Sequence, residues 1–377
     1  MEQNKFFPEI NGNFGFGCMR LPMKGEEIDY DRFCKMVDMF IDAGFNYFDT
    51  AHGYHGGKSE TSIRDCLVNR YDRSRFILTD KLSTHFFSKE EEIRPLFEAQ
   101  LSACGVEYFD FYLMHAQDKR TYEKYQRLHA YEIAYSFKDE GRIKHFGISF
   151  HDKADVLERI LGEHPEIEIV QIQYNYADYD DPAVESGKVY EVCEKFGKPV
   201  VVMEPVKGGN LVDLPKEADA ILRSLDGGYS NAGYALRFAA SRPNMAVVIS
   251  GMSDTAQMTD NISAMGELRP LDQTELDAIE RVCDIFRSQN LVPCTGCRYC
   301  VLDNDCPKDI LIPDVFSALN KHNAFHSWNT KYYYGNVLTA DHGKASDCIK
   351  CGKCEKICPQ HLNIRKLLEQ AAEVFES

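Results

Sequence analysis

The sequence has one tryptophan, Trp328, and no stretch approaching the ~18–20 uninterrupted apolar residues of a membrane-spanning helix. Its start, MEQNKFFPEI, lacks the basic-then-apolar order of a secretion signal. Positive charge is scarce: 43 Lys and Arg face 59 Asp and Glu, for a formal charge of −16. Phosphate recognition needs clustered Lys and Arg, so this balance argues against nucleic acid or an anionic membrane as the main partner. Low-complexity segments are absent. No G-x-G-x-x-G follows a strand-like run, and Gly15-Phe16-Gly17 lacks the further glycine, which counts against a doubly wound dinucleotide fold. A soluble, cytoplasmic protein is expected. The 377 residues are 44% apolar and 12% aromatic, which excludes wholesale disorder. At roughly 100–200 residues per domain, two or three domains are expected.

Cysteine, by contrast, is abundant. Fourteen are present, and eight fall in the last 84 residues. The other six (Cys18, Cys34, Cys66, Cys104, Cys193 and Cys283) are scattered singly. In a reducing compartment, scattered cysteines act as small buried hydrophobes and clustered ones as metal ligands. The tail is therefore expected to carry metal.

From about residue 14 to 265, short apolar runs alternate with longer amphipathic ones. The runs lie at 15–19, 46–49, 76–80, 110–114, 145–149, 169–174, 199–204 and 245–250, several rich in Val, Ile, Phe and Tyr, as buried strands are. Helical spacing appears at 31–43, with Phe33, Met36, Val37, Phe40 and Ile41 on one face, and at 88–104, with Ser88 as N-cap and Glu91 completing a capping box. Further helices are expected at 59–69, 122–140, 152–161, 183–196, 231–241 and 254–265. Eight strand–helix units in about 250 residues predict an α/β fold, a (β/α)₈ barrel. The expected organisation is a barrel over 1–268, a connecting helix within 269–292, and a small, mainly helical cysteine-rich domain over 293–377.

Barrel active sites sit at the C-terminal ends of the strands. Three consecutive runs here end in ionisable groups: Asp49, Lys81 and His115, with Tyr54 in the loop five residues after Asp49. An ion pair at the rim with two hydrogen-bonded neighbours would be the ordinary reading of any one of them. The four together suit carbonyl reduction. Tyr54 would be the general acid, its pKa lowered by the Lys81 ammonium; Asp49 would hold Lys81; and a neutral His115 would polarise the substrate oxygen.

Here the sequence resembles the aldo/keto reductase family. The resemblance rests on Asp49-Thr-Ala-His-Gly-Tyr54 with Gly56-Gly-Lys-Ser-Glu60, on Lys81, on His115 in Leu113-Met-His-Ala, on Gly141-Arg-Ile-Lys-His-Phe-Gly-Ile-Ser149, and on Ile172-Gln173-Tyr-Asn175. It implies that Asp49, Tyr54, Lys81 and His115 form the catalytic tetrad. It also implies that Ser149 and Gln173 hold a nicotinamide carboxamide, while Met203 to Gly209, Lys207 included, and Gly251 to Asn261 line an NAD(H) or NADP(H) cofactor. Two departures stand out. Met203 occupies the place of the family's stacking aromatic. Gly251 and Gln257 stand where the family's 2′-phosphate-binding Lys and Arg belong, and 250–260 has no positive charge, so no preference for NADPH is expected.

The tail reads Cys294-x₂-Cys297-x₂-Cys300-x₅-Cys306-Pro and Cys348-x₂-Cys351-x₂-Cys354-x₃-Cys358-Pro. These resemble the motifs of bacterial-type two-cluster ferredoxins, where the cysteine before proline ligates the other cluster. Cys294, Cys297, Cys300 and Cys358 are accordingly assigned to one [4Fe–4S] cluster, and Cys348, Cys351, Cys354 and Cys306 to the second. Zinc is the alternative, but its sites favour C-x₂-C pairs over C-x₂-C-x₂-C triplets.

The leading expectation is an oxidoreductase that interconverts a small-molecule carbonyl and alcohol in the barrel and exchanges electrons through two clusters, with ferredoxin or another carrier as partner. A bridging flavin would reconcile two-electron with one-electron steps, although no flavin motif is visible. The alternatives are nicotinamide-linked reduction with structural clusters, and a non-catalytic redox sensor. Tyr174, Tyr176 and Tyr179 are candidates for pocket wall or for core. His52, His55 and His151 read as solvated loop residues, and Trp328 with the run Lys331-Tyr-Tyr-Tyr334 as packing.

Overall fold

Eight short runs of aromatic and β-branched residues, buried along nearly their whole length, become eight parallel strands. In the computed structural model these are β1 (Phe14–Gly17), β2 (Tyr47–Asp49), β3 (Ile77–Leu82), β4 (Phe109–Gln117), β5 (Ile143–Phe150), β6 (Ile169–Gln173), β7 (Val200–Met203) and β8 (Met245–Gly251). Described are residues 3–181, 184–289, 291–302, 306–325, 330–331 and 334–377. Trp328, Tyr332 and Tyr333 lie outside these. Each strand pairs with its sequence neighbours, and β1 closes the barrel by pairing with both β2 (Gly15↔Tyr47) and β8 (Gly15↔Ile249). Closure is tight at Gly15, where an added Cβ would lie 2.9 Å from the Tyr47 ring and 3.0 Å from Val247. The N-terminal segment plugs the barrel floor. Phe7 meets Phe111 edge-on at 5.0 Å, Ile10 is fully buried beside Ile77 and Val247, and Asn4 Nδ2 donates to the Ala246 carbonyl at 2.6 Å.

The helices follow their apolar stripes. Tyr30–Asp42 buries Phe33, Met36, Val37, Phe40 and Ile41, the face expected from their spacing, with Asp29 capping its start through the Arg32 amide. Three expectations need correction. The capping carboxylate before Ile93–Cys104 is Glu92, which accepts from the Ser88 amide at 2.7 Å; Glu91 does not fill that role. The stretch 122–140 is two helices, Lys119–Arg127 and Ala130–Asp139, because His129 takes a left-handed φ of 48° between them. Cys34 and Cys66 are also not independent buried thiols. The helix and the turn that carry them bring their Cα atoms to 4.7 Å, and they pair as a disulfide.

The chain forms two compact units. One is Met1–Tyr179, Glu185–Pro205 and Ala232–Leu271, and holds all eight strands; the other is Asp180–Val184, Val206–Asn231 and Asp272–Ser377. In the second unit a helix without a sequence expectation, Lys216–Arg223, packs on Gln273–Gln289. Farther along, Ile312–Phe325 packs on Ile364–Phe375 around Val315, Phe316, Leu319, Ile364 and Leu368. Tyr334 stacks on Phe375 at 4.6 Å, donates to Glu376 and accepts from the Ala345 amide, so its role is packing. Among the described residues no helix is long and apolar enough to cross a membrane.

Candidate active site

Strand alternation decides which side chains meet inside the barrel. Asp49 ends β2, and Lys81 lies on β3, where it is fully buried. Its ammonium donates to Asp49 Oδ1 and to the Thr50 carbonyl, each at 2.7 Å. A buried lysine needs such partners, because an unpaired charge there would cost several kcal/mol. Tyr54 lies in the loop after β2, with its ring centroid 5.2 Å from Lys81 Nζ and 6.1 Å from the His115 ring. The four residues expected to form the tetrad are therefore brought together.

Their electrostatics hold one surprise. His115 is held neutral, since burial and then the Lys81 charge push its pKa well below the usual imidazole value. Tyr54 goes the other way from expectation. Burial, reinforced by Asp49 and Asp80, raises its phenol well above the ordinary value, so it stays protonated. Lys81 does not lower it because its charge is already matched by Asp49 at 2.7 Å.

Two supporting side chains were not foreseen. Gln171 on β6 donates to Asp49 Oδ2 at 3.0 Å, and Ser83 Oγ lies 2.5 Å from His115 Nδ1. When the Ser83 hydroxyl donates, Nδ1 accepts and the proton stays on Nε2, the tautomer able to donate to a carbonyl oxygen. The signal for both was present. Each sits two residues from a chosen one (Gln173 and Lys81) and so faces the same side of its strand.

Behind Lys81 lies a further unforeseen cluster. Glu60 and Asp80 are buried side by side, their carboxylates and the Cys104 thiol within 4.8 Å of one another. Gln100 donates to Asp80 at 3.1 Å, and His52 Nδ1 lies 3.0 Å from Glu60. Burial is the chief cause that lifts Glu60 to about 7 and Asp80 well above its usual range. The folded protein thus holds a proton here that the unfolded chain releases above about 4.5. By linkage, this stabilisation is full at acid pH and is lost as pH rises to about 7. We expect the melting temperature to fall between pH of about 5 and about 8, and Glu60→Gln to flatten that fall. Parallel wild-type and Glu60→Gln profiles would contradict the shared proton.

The histidines at the mouth are tied down, contrary to the reading of solvated loop residues. His52 meets Glu60, His55 Nε2 accepts from the Leu21 amide at 3.0 Å, and His151 Nδ1 lies 3.2 Å from Gln173 Oε1. Tyr174 and Tyr176 are buried against Phe238 and so are core, whereas Tyr179 is half-buried and its hydroxyl accepts from Arg242 at 3.0 Å.

The residues expected at the cofactor are placed as follows. Ser149 Oγ accepts from the Ala116 amide at 2.7 Å, and Gln173 Nε2 donates to Glu204 at 3.2 Å. Met203 ends β7 in register with Gln173. Asn261 donates to Ser250 Oγ at 2.7 Å, while Asp254 caps the helix start by accepting from the Gln257 amide and Gln257 Oε1 accepts from the Ser253 amide, each at 2.8 Å. Gly251 lies against the stem of Arg20, a cation that 250–260 itself lacks. Lys207 is buried in the second unit, in the turn Lys207–Gly209.

The eight clustered cysteines form two groups in that second unit. Cys294, Cys297, Cys300 and Cys358 line one cavity; Cys306, Cys348, Cys351 and Cys354 line another. Helix Tyr299–Leu302 packs on Lys353–Ile357, which is how the last cysteine of each motif reaches the other's triplet. Each cavity offers four sulfurs and no carboxylate or imidazole, a soft donor set that fits an iron–sulfur cluster. Ile312 borders both cavities. Asn210 donates to the Cys294 carbonyl at 2.6 Å, and Gly208, with φ +65°, leaves no room for a Cβ beside the Thr295 backbone.

A closed parallel barrel with an ionised pair at its strand ends defines a class of barrel enzymes, and comparison with known proteins narrows it. The sequence profile of the aldo/keto reductase family matches residues 13–284, and that of a 4Fe-4S dicluster domain matches 293–365. The chain belongs to the aldo/keto reductase family and is an oxidoreductase with a 4Fe-4S dicluster domain. It is 26% identical over 302 residues to the uncharacterized oxidoreductase YqkF of Bacillus subtilis, covering 71% of this chain and 90% of that protein. It is also 26% identical over 195 residues to the NADH-specific methylglyoxal reductase of Escherichia coli, covering 46% of this chain and 57% of that one. Its fold is similar to an aldo-keto reductase from Klebsiella pneumoniae in complex with NADPH, with TM-score 0.58, 19% identity, and coverage of 75% of this chain and 95% of that one.

Proposed function

We propose that the barrel interconverts a carbonyl and an alcohol with Tyr54 as proton donor, and that two [4Fe–4S] clusters held by the crossed cysteine sets link this chemistry to one-electron carriers. The observation that carries the reading is the buried Lys81–Asp49 pair beside Tyr54 and a neutral His115. A bound nicotinamide would supply the hydride, and the clusters one electron each. This chain's residues supply the rest. His115 donates a hydrogen bond to the substrate oxygen, and the Tyr54 O–H bond breaks as the new O–H bond forms. The raised Tyr54 pKa keeps that proton in place until the oxygen becomes basic. Lys81, held by Asp49, stands by the ring face as the phenolate forms.

Ser149, Gln173, Met203, Lys207, Gly251, Gln257 and Asn261 are proposed to surround the nicotinamide cofactor. The E. coli relative is NADH-specific by name, and 250–260 contributes two carboxylates, Asp254 and Asp260, and no cation. Discrimination for a 2′-phosphate rests on charge-assisted hydrogen bonds of roughly 1.5–3 kcal/mol each. The dissociation constant for NADPH is therefore expected not to fall below that for NADH by about tenfold or more. Such a preference for NADPH would overturn the loop reading, and its loss in Arg20→Ala would then name Arg20 as the source.

The test of the overall proposal is anaerobic turnover of a panel of small aldehydes with NADH, or with reduced viologen and a catalytic amount of NAD⁺, two viologen electrons and a proton restoring the hydride carrier for each aldehyde reduced. Turnover from viologen supports the coupling. Turnover with NADH alone, unaffected by removing the clusters, would favour a nicotinamide-linked reductase with structural clusters.

A further inference from the structure

The two cysteine cavities differ in what surrounds them. In the one lined by Cys294, Cys297, Cys300 and Cys358, the four cysteines are buried or half-buried. In the other, Cys351 is exposed, and so are two neighbouring wall residues, Lys308 and Ile349, the latter 57% exposed. A cluster in the second cavity would therefore lie closer to solvent than one in the first.

Charge around that opening runs against the rest of the chain. Residues 344–366 contain six Lys and Arg and two Asp and Glu, within a protein of formal charge −16. The two acidic residues are both engaged: Asp347 accepts from the Lys344 amide, and Glu355 pairs with Arg365. Lys353 and Lys356 are exposed and stand three apart on the short helix Lys353–Ile357, on one side of it. Lys308 is exposed on the cavity wall. Among the described residues these three lysines form no ion pair, whereas Lys350 pairs with Glu369. Asp309, next to Lys308 in the chain, pairs with His342 at 2.7 Å.

We propose that this face, with Lys308, Ile349 and Cys351 exposed on the cavity wall and Lys353 and Lys356 exposed on the helix that follows Gly352, is the docking surface for a small acidic one-electron carrier protein of the ferredoxin class. The proposal rests on the reading that the clusters exchange electrons. Exposed positive charge in the segment that carries an exposed apolar residue suits such a partner. Long-range attraction raises the encounter rate and orients the complex, while the apolar residue excludes water over the cluster nearest the surface. From there Ile312, which borders both cavities, connects the outer site to the inner one.

The test uses holoprotein purified anaerobically and a small acidic ferredoxin as probe, with basic cytochrome c as the opposite-charge control. Binding is measured by calorimetry over a range of salt. The wild type should bind the ferredoxin, with affinity falling as salt rises, and should not bind cytochrome c. The triple variant Lys308→Glu/Lys353→Glu/Lys356→Glu should retain its iron content and lose about tenfold or more in affinity. An unchanged dissociation constant in that variant, or preferential binding of cytochrome c, overturns the docking surface. A parallel assay with reduced viologen, a small donor that needs no docking, separates this failure from failure of the underlying reading. Viologen-driven turnover with unchanged ferredoxin affinity condemns only the surface, whereas no viologen-driven turnover condemns the electron-transfer reading itself.

Discussion

Tyr54→Phe is expected to lower turnover by ~10²–10⁴-fold while leaving the dissociation constant for reduced nicotinamide unchanged. The substitution removes one oxygen and keeps the ring beside Lys81 and His115, so binding geometry is preserved and only the transferable proton is lost. Because Lys81 is already matched by Asp49, its own environment changes little. Steady-state rates under saturating cofactor, paired with cofactor titrations, check both halves. A variant that keeps most of its turnover would remove Tyr54 from the mechanism. A variant that loses cofactor affinity instead would move Tyr54 from proton transfer to binding.

The second large effect is expected at Cys358. Although it lies four residues after Cys354, it borders the cavity of Cys294, Cys297 and Cys300. Wild-type protein should contain about eight iron atoms per chain, and Cys358→Ala about four. The residual spectrum of Cys358→Ala should match that of Cys294→Ala and differ from that of Cys351→Ala. If Cys358→Ala instead resembles Cys351→Ala, the sets are not crossed. Stoichiometric zinc without acid-labile sulfide would remove the clusters altogether.

Much of this architecture was legible because the relevant physics is local. Each barrel strand is an apolar run of the kind that only a doubly covered strand needs, and all eight stand out in the sequence. Asp49, Lys81 and His115 were visible as charges closing such runs. The crossed cysteine sets were implied by the resemblance to two-cluster ferredoxins, and the same two groups of four line the two cavities.

What stayed hidden depends on contacts far apart in sequence. Asp80 looks like one more polar strand residue until burial, and then the neighbouring Glu60 carboxyl, raise its pKa well above the usual range. The direction of the Tyr54 shift turned on how completely Asp49 matches Lys81, a distance and not a pattern. Arg20 reaches Gly251 only because β1 and β8 close the barrel side by side. Cys34 and Cys66 meet because the helix of one lies over the turn of the other. The break at His129 carries no proline or glycine to announce it.

The most direct test of coupling between barrel and clusters is a single anaerobic mixing experiment. Oxidised holoprotein of known iron and flavin content is mixed with NADH and frozen for electron paramagnetic resonance. One hydride carries two electrons, and two clusters accept one each with release of a proton, so the electron count closes within one chain. The account predicts a reduced-cluster signal approaching two spins per chain, and its loss in a variant lacking the Cys294 set. Oxidation of NADH by an added aldehyde with the clusters silent throughout would contradict it.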